Sequence, residues 1–145
     1  TPVLSGFGVT ANLALTNSSI AIKDQRFGSM SVPLPGLSRN VLNLTAYYEK
    51  DGFSARISQR RRSDFVGEIG GPGGQNELTF VKSDRVVDMQ LGYDFNSGWA
   101  KGMSVLFQVN NLTDTAFQTY SGSPDRPRGY QQYGRQMFVG LNYKM

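Results

Sequence analysis

The chain has 145 residues, with 17 Gly, nine Phe, seven Tyr and one Trp, and its formal net charge is +4. It contains neither cysteine nor histidine, which excludes disulfide bonds, thiolate and imidazole metal sites, and histidine-dependent catalytic arrangements. We therefore predict that the chain is not an enzyme and uses no metal ion or cofactor. No basic stripe with interleaved aromatic residues points to a nucleic-acid partner.

Six segments alternate apolar and polar residues with period two, the pattern of strands that have one apolar and one polar face. They span residues 7–16, 42–49, 53–64, 87–95, 103–110 and 136–145. Strands of globular proteins usually have about 5 or 6 residues, whereas strands that cross a membrane need about 9 to 11. The sequence therefore predicts an all-β chain with about six antiparallel strands of a transmembrane β-barrel.

A mean hydropathy of −0.36 agrees with this prediction, because a barrel strand exposes only every second residue to lipid. The polar residues between them would then line the lumen. The residues predicted to face the membrane are Val87, Met89, Leu91, Val105, Phe107, Val139 and Leu141.

The connections between the six segments alternate between short and long. Short turns are predicted at residues 50–52 and 96–101, and long loops at residues 18–38, 66–83 and 118–134. Outer-membrane barrels combine short periplasmic turns with long extracellular loops, and loops of this length are uncommon in compact soluble domains. We therefore expect the chain to begin at a periplasmic turn near residues 2–6 and to end in the periplasm.

Aromatic residues gather at the predicted strand ends, where barrels carry rings at the two membrane interfaces. We expect two aromatic belts, one at each rim. The alternative is that these rings pack individual hairpins. The residues concerned are Tyr48, Phe53, Phe65, Tyr93, Phe95, Trp99, Phe117, Tyr120 and Tyr143.

Eight short strings carry a resemblance to a known family and are spread in order along nearly the whole chain. They are residues 6–12, 34–38, 43–50, 52–56, 62–65, 110–114, 133–135 and 140–144. Together they resemble segments common in proteobacterial TonB-dependent outer-membrane receptors. The resemblance implies that residues 1–145 are the C-terminal part of such a barrel, which has about 22 strands and a plugged lumen.

The resemblance also implies a function and partners. The whole receptor would lie in the outer membrane of a Gram-negative bacterium and would import a scarce small-molecule nutrient, such as an iron chelate, cobalamin or an oligosaccharide. The TonB complex would supply energy through a plug that lies upstream of this chain. Two alternatives remain open: a passive porin-like barrel, and a soluble β-sandwich that binds carbohydrate.

The final segment resembles the C-terminal signal that the barrel assembly machinery recognises. Tyr143 fits that signal, whereas Met145 departs from it because an aromatic residue is expected last. A second departure is Arg61, which shares the phase of the apolar residues. Near the extracellular rim, Arg61 is expected to meet lipopolysaccharide phosphates or to extend its guanidinium into water. Outer-membrane lipid and lipopolysaccharide are thus predicted partners.

Two groups of polar residues are candidates for substrate binding. Arg60, Arg62 and Asp64 share the polar face of the third segment, where they could contact a substrate. The alternative to substrate binding is that they form an ion-pair ladder with two acids of the fourth segment, Asp88 and Asp94. The second group lies in the last long connection. Its residues are candidates because tyrosine rings stack on sugars, arginines bind carboxylate or phosphate, and loops often carry binding residues. The alternative is a solvated loop tip. This second group comprises Tyr120, Arg126, Arg128 and Tyr130.

Overall fold

The computed structural model describes residues 5–24, 28–70 and 77–144, and these residues form antiparallel β-sheets without any helix. No helix in the described ranges is therefore long and apolar enough to cross a membrane. The twelve strands in these ranges are β1 (Phe7–Leu15), β2 (Ile20–Asp24), β3 (Gly28–Val32), β4 (Asn40–Lys50), β5 (Phe53–Arg62), β6 (Phe65–Ile69), β7 (Leu78–Val81), β8 (Asp84–Asp94), β9 (Met103–Asn110), β10 (Phe117–Ser121), β11 (Pro127–Gln131) and β12 (Gln136–Tyr143).

Six long strands form one antiparallel sheet in the order β1-β4-β5-β8-β9-β12, which we call the main sheet. Each of the six segments predicted from alternation is one of these strands. Within this sheet, strands that follow each other in the chain are also neighbours in space. The sheet is open, because β1 and β12 lie at its two edges and do not pair with each other.

The register of the main sheet gives it two chemically different faces. One row across all six strands reads Val9, Ala46, Ile57, Met89, Val109 and Met137. The row beside it reads Phe7, Tyr48, Ala55, Leu91, Phe107 and Val139. The seven residues predicted to face the membrane all lie on this face, which we call the apolar face. Side chains at the intervening positions form the polar face, since residues alternate along a strand.

The turn between β4 and β5 has only two residues outside the strands, and both have positive φ. Asp51 has φ 52° and Gly52 has φ 85°, the combination that matches the twist of a two-residue hairpin. A Cβ atom added at Gly52 would overlap the carbonyl oxygen of Asp94 on the neighbouring strand. Glycine is therefore required here both for the backbone conformation and for the close approach of β8.

We expect Gly52→Ala to destabilise the fold more than Gly98→Ala, measured as the urea midpoint of the folded protein. Gly98 also has positive φ, 77°, but a Cβ there meets no atom within 4 Å. The matched control therefore carries only the conformational cost, roughly 1 to 2 kcal/mol. Gly52→Ala adds roughly 1 to 3 kcal/mol for the overlap. Equal midpoints for the two variants would contradict the predicted contact with Asp94.

The three long connections differ from their prediction, because each contains a β-hairpin instead of an irregular loop. These hairpins are β2–β3, β6–β7 and β10–β11. The β2–β3 hairpin follows from short alternating runs of apolar residues. Ile20 pairs with Val32, and Ile22 pairs with Met30. Hairpin backbone groups satisfy one another, which makes a long connection less costly than a free loop.

Two of the three hairpins join into a second sheet of order β11-β10-β7-β6, which we call the cap sheet. Its interior contains Val66, Val81 and Tyr120, all buried. The ring of Tyr120 stacks on Phe80 with centroids 5.3 Å apart. The cap sheet lies at the end of the main sheet opposite the short turns.

Aromatic residues of the apolar face gather at the short-turn end of the main sheet. Tyr48 lies 6.3 Å from Phe53 between ring centroids, and Tyr93 lies 4.8 Å from Phe95. Trp99, in the turn between β8 and β9, is 94% exposed. At the hairpin end the structure differs from the prediction, because Phe65 and Tyr120 pack within the cap region.

Candidate functional site

A cavity of about 540 Å³ lies between the ends of the main-sheet strands and the cap sheet, and we call it the cap cavity. This volume is in the range of small-molecule binding sites. Three connections supply its wall: the one after β1, the one before β4 and the one between β5 and β6. Its lining comprises Thr16, Asn17, Ser18, Ser19, Pro33, Leu37, Arg39, Asp64, Phe65, Val66, Phe80 and Tyr120.

Asp64 joins three parts of the chain at the wall of the cap cavity. Its Oδ1 accepts a hydrogen bond from the backbone N–H of Ser83 at 2.7 Å. Its Oδ2 accepts one from the hydroxyl of Tyr120 at 2.7 Å. The carboxylate therefore connects the end of β5 with the start of β8 and with β10, one of the two inner strands of the cap sheet.

These hydrogen bonds control the pKa of Asp64, which lies beyond the last residue of β5. Burial by itself raises the pKa of this carboxyl. The hydrogen bonds from Tyr120 and from Ser83 outweigh burial and hold the pKa below its ordinary value of 3.8. Asp64 is therefore ionised at neutral pH, and its contribution to stability is present above pH 3.8 and is lost as the pH falls through its lowered pKa.

Tyr120 shows the complementary effect. Burial, its hydrogen bond to Asp64 and the charge of that carboxylate raise the pKa of Tyr120 from 10.0 to about 12. A raised pKa in the folded state means that the contribution to stability is complete below pH 10 and is lost as the pH rises towards 12. Tyr120 thus acts as a neutral hydrogen-bond donor at any physiological pH.

We expect the phenolate absorbance of the protein to contain one tyrosine that ionises near pH 12, and Tyr120→Phe to remove it. The difference between the titrations of the wild-type protein and the variant isolates this one residue. Tyr130→Phe is the matched control, because Tyr130 is 63% exposed and belongs to the same hairpin. A difference titration for Tyr120 with its midpoint near pH 10 would contradict the hydrogen bond to Asp64.

Arg39 supplies positive charge to the cap cavity. Its Nε donates a hydrogen bond to Oδ1 of Asn17 at 3.2 Å. Within the described residues, its two terminal guanidinium nitrogens make no ion pair. An arginine held in this way presents two parallel donors, the arrangement that suits carboxylate or phosphate oxygens. Arg39 and Asn17 were not identified from the sequence: they flank the connection predicted at residues 18–38, and only the fold brings them together.

Arg62 is engaged in a structural contact. Its Nε donates to both carboxylate oxygens of Asp84, at 3.0 and 3.1 Å, and its Nη2 lies 2.9 Å from Oδ2. Its guanidinium carbon also lies 4.8 Å from the ring centroid of Phe65. Among the described residues, this is the single rung of the ion-pair ladder considered above. Its acid is Asp84, because the register places this residue opposite Arg62. Asp88 lies opposite Ser58 and accepts a hydrogen bond from the backbone N–H of Asn111.

The remaining predicted substrate residues are scattered. Arg60 lies on the polar face of the main sheet opposite Asn43 and Val86. Arg128 donates a hydrogen bond from Nη1 to Oγ1 of Thr79 at 2.6 Å within the cap sheet. Tyr130 and Arg126 are exposed on the outer hairpin. The structure therefore gathers Asp64 and Tyr120 at the cap cavity and places the other five predicted residues elsewhere.

The two residues of the predicted assembly signal lie at or beyond the end of β12. Tyr143 is the last residue of this strand, pairs with Met103 and is 62% exposed. Met145 lies outside the described residues.

No group of acidic residues suitable for a metal ion occurs in the described ranges. The cap cavity offers one cation, one carboxylate, hydroxyl and amide groups, and apolar walls. Comparison of the chain with protein-family models, with curated proteins and with solved structures found no match in any of the three.

Proposed function

We propose that the chain forms the last six strands of the β-barrel of a TonB-dependent receptor, which imports a scarce nutrient across the outer membrane of a Gram-negative bacterium. In this proposal the apolar face of the main sheet contacts lipid and the polar face lines the lumen. The short turns face the periplasm, and the cap sheet faces the outside of the cell.

The observation that carries the proposal is the exposure of the apolar face. Within the described residues, twenty large apolar or aromatic side chains are exposed, twelve of them on the apolar face, and Val109 is the single buried side chain of that face. Val139 and Leu141 are more than 70% exposed on β12, as is Leu15 on β1. A face of this size is not left in water by a stable soluble domain, and an alternating strand pattern is what a barrel in lipid requires.

The edges of the main sheet support a larger barrel. β1 and β12 have nine and eight residues, are exposed almost throughout and contain no proline or inward charge that blunts an edge. Unpaired backbone groups at such an edge cost several kcal/mol each in lipid. Further strands that pair with β1 and β12 would satisfy these groups and close the wall.

The soluble β-sandwich explains the same facts less well. A sandwich needs a second sheet packed on the apolar face, and the buried residues of the cap sheet, Val66, Val81 and Tyr120, lie among themselves at the end of the main sheet. The aromatic residues at the short-turn end are likewise expected at a membrane interface.

The cap cavity is the part of the proposed receptor that would first contact the nutrient. Its lining carries one cation, Arg39, and one carboxylate, Asp64, whose two oxygens already accept hydrogen bonds from Tyr120 and Ser83. Together with the hydroxyl and amide groups, Arg39 suits a compact ligand rich in oxygen atoms. Iron chelates and acidic oligosaccharides both have this chemistry. No residue of the cavity is required to break a bond in the nutrient.

Fractionation and a growth experiment test this proposal. We expect to find the full-length protein in the outer-membrane fraction, and we expect its extraction to need detergent. A deletion strain is expected to lose growth on one limiting nutrient and to recover it with the restored gene only when TonB is present. A soluble protein would overturn the proposal in favour of the sandwich, and uptake without TonB would favour the passive porin.

A further inference from the structure

The polar wall of the cap cavity is rich in hydrogen-bond donors. The side-chain oxygen of Asn17 already accepts a hydrogen bond from Nε of Arg39. Because an arginine nitrogen can only donate, the amide of Asn17 must turn its oxygen towards Arg39, which leaves its two N–H groups for another partner. The terminal guanidinium nitrogens of Arg39 make no ion pair with any described residue. Both side chains therefore have donors left for a ligand.

Three hydroxyl groups lie in the same stretch of the lining as Asn17. They belong to Thr16, Ser18 and Ser19. The hydroxyl oxygen of Ser18 accepts a hydrogen bond from the backbone N–H of Leu34 at 3.2 Å, so its own proton remains available for donation. A ligand that fits this wall must bring hydrogen-bond acceptors.

The charges of the lining limit how much negative charge such a ligand can carry. Among the described residues of the lining, Arg39 is the only cation and Asp64 the only acid. Asp64 is ionised at neutral pH because its hydrogen bonds from Tyr120 and Ser83 lower its pKa. One negative charge on a ligand therefore finds one cation. A second one would have no cation of its own and would be repelled by Asp64.

Apolar side chains complete the lining. Pro33, Leu37 and Phe65 contribute carbon surface, and Leu37 is 42% exposed. A sugar ring has apolar C–H faces and hydroxyl groups at its edge, so it matches a cavity that has both apolar and hydroxyl walls. A ferric chelate built from several catecholate or carboxylate groups has more negative charge than Arg39 can compensate.

We propose that the cap cavity binds an oligosaccharide through one uronic acid residue, whose carboxylate is held by the terminal nitrogens of Arg39 and the amide nitrogen of Asn17. This inference rests on the proposed function, because it identifies the nutrient of that receptor. It selects the sugar acid over the multiply charged iron chelate, and it assigns the choice to the charge balance between Arg39 and Asp64.

The test titrates the full-length protein in detergent by calorimetry. The probes are disaccharides that end in glucuronate, galacturonate or mannuronate, each compared with its neutral parent and with the phosphate ester of that parent. At least one acid is expected to bind roughly ten- to hundredfold more tightly than its parent, the usual contribution of a hydrogen bond to a charged group. The phosphate ester has about two negative charges at neutral pH and is expected to bind more weakly than the acid.

Three results of these titrations would overturn the inference. The first is that none of the three acids binds. The second is that every acid binds no more tightly than its neutral parent, which would remove the role of the carboxylate. The third is that a phosphate ester binds more tightly than the corresponding acid, which would show that the cavity accepts a second negative charge.

Asn17→Asp tests the charge balance without removing a side chain. The new carboxylate has nearly the same shape and still accepts the hydrogen bond from Nε of Arg39, but it neutralises the cation. The variant is expected to bind the acid no more tightly than the neutral parent, and Arg39→Gln is expected to lose the preference in the same way. Retained binding of the parent shows that the cavity is intact. Arg56→Gln is the control, because Arg56 lies on the polar face outside the cavity.

An unchanged preference for the acid in both Asn17→Asp and Arg39→Gln would overturn the role of Arg39. A competition experiment then compares the two nutrient classes. A trianionic ferric tricatecholate is expected not to displace the acid, and displacement would overturn the choice of a sugar acid while the protein would still be a receptor. Recovery of the full-length protein without detergent would instead remove the proposed function, and this result is read from the extraction and not from the titrations.

Discussion

Phe107→Arg in the full-length protein is expected to abolish assembly of the barrel in the outer membrane. Phe107 lies in the middle of β9 on the apolar face, with Leu91 and Val139 as its neighbours on the adjoining strands. An arginine at the middle of the lipid-facing surface of a barrel costs roughly 2 to 4 kcal/mol. The measurement is the amount of folded protein in outer membranes, read from the difference in gel migration between unheated and heated samples.

Leu106→Arg is the matched control, because it changes the adjacent residue on the same strand. Leu106 is also apolar and lies on the polar face, where its neighbours are Gly92 and Gly140. Hydropathy alone predicts similar effects for the two variants, whereas the two faces of the main sheet predict that Leu106→Arg still assembles. Assembly of both variants, or of Phe107→Arg alone, would contradict lipid contact by the apolar face.

Arg39→Ala is expected to weaken nutrient uptake by roughly ten- to hundredfold, the usual contribution of a hydrogen bond to a charged group. Arg39 is the single cation in the lining of the cap cavity, and Asn17 holds its Nε. The measurement is the nutrient concentration that supports half-maximal growth of a complemented deletion strain. The amount of assembled protein is determined in parallel.

Arg56→Ala is the control for this variant, because it removes the same charge from the polar face near the short turns. It is expected to transport the nutrient as the wild type does. Arg126→Ala adds a direct comparison with the residues chosen from the sequence. If uptake depends on Arg126 and is unchanged in Arg39→Ala, the outer hairpin and not the cap cavity binds the nutrient.

In the cap region, the role of Tyr120 could not be predicted from the sequence. Tyr120 was selected because it belongs to a long connection rich in arginine and aromatic residues, and the structure places it at the cap cavity together with Asp64. Its ring is nevertheless buried against Phe80. Residue type alone does not distinguish a tyrosine that stacks on a ligand from one that packs within a small sheet, because both need an aromatic ring with a polar group.

The neighbours of the three consecutive arginines of β5 could likewise not be predicted from the sequence. Arg60, Arg61 and Arg62 are consecutive, and alternation alone puts Arg61 on the face opposite the other two. Only the pairing of β5 with β8 places Arg85 beside Arg61 and Asp84 beside Arg62. Arg62 therefore has an acidic neighbour and Arg61 has a positively charged one. These neighbours are more than twenty positions away in the chain.

The sequence by itself determined the six long strands, their two faces and the short turns between them. Period-two alternation and turn glycines are local properties, so they can be read from neighbouring residues. The tertiary structure decided that the long connections are hairpins, that two of these hairpins form the cap sheet, and which charged residues meet. Those outcomes depend on the register between segments that are distant in the chain. The energy of a contact between two such segments depends on both of them, so it cannot be read from either segment alone.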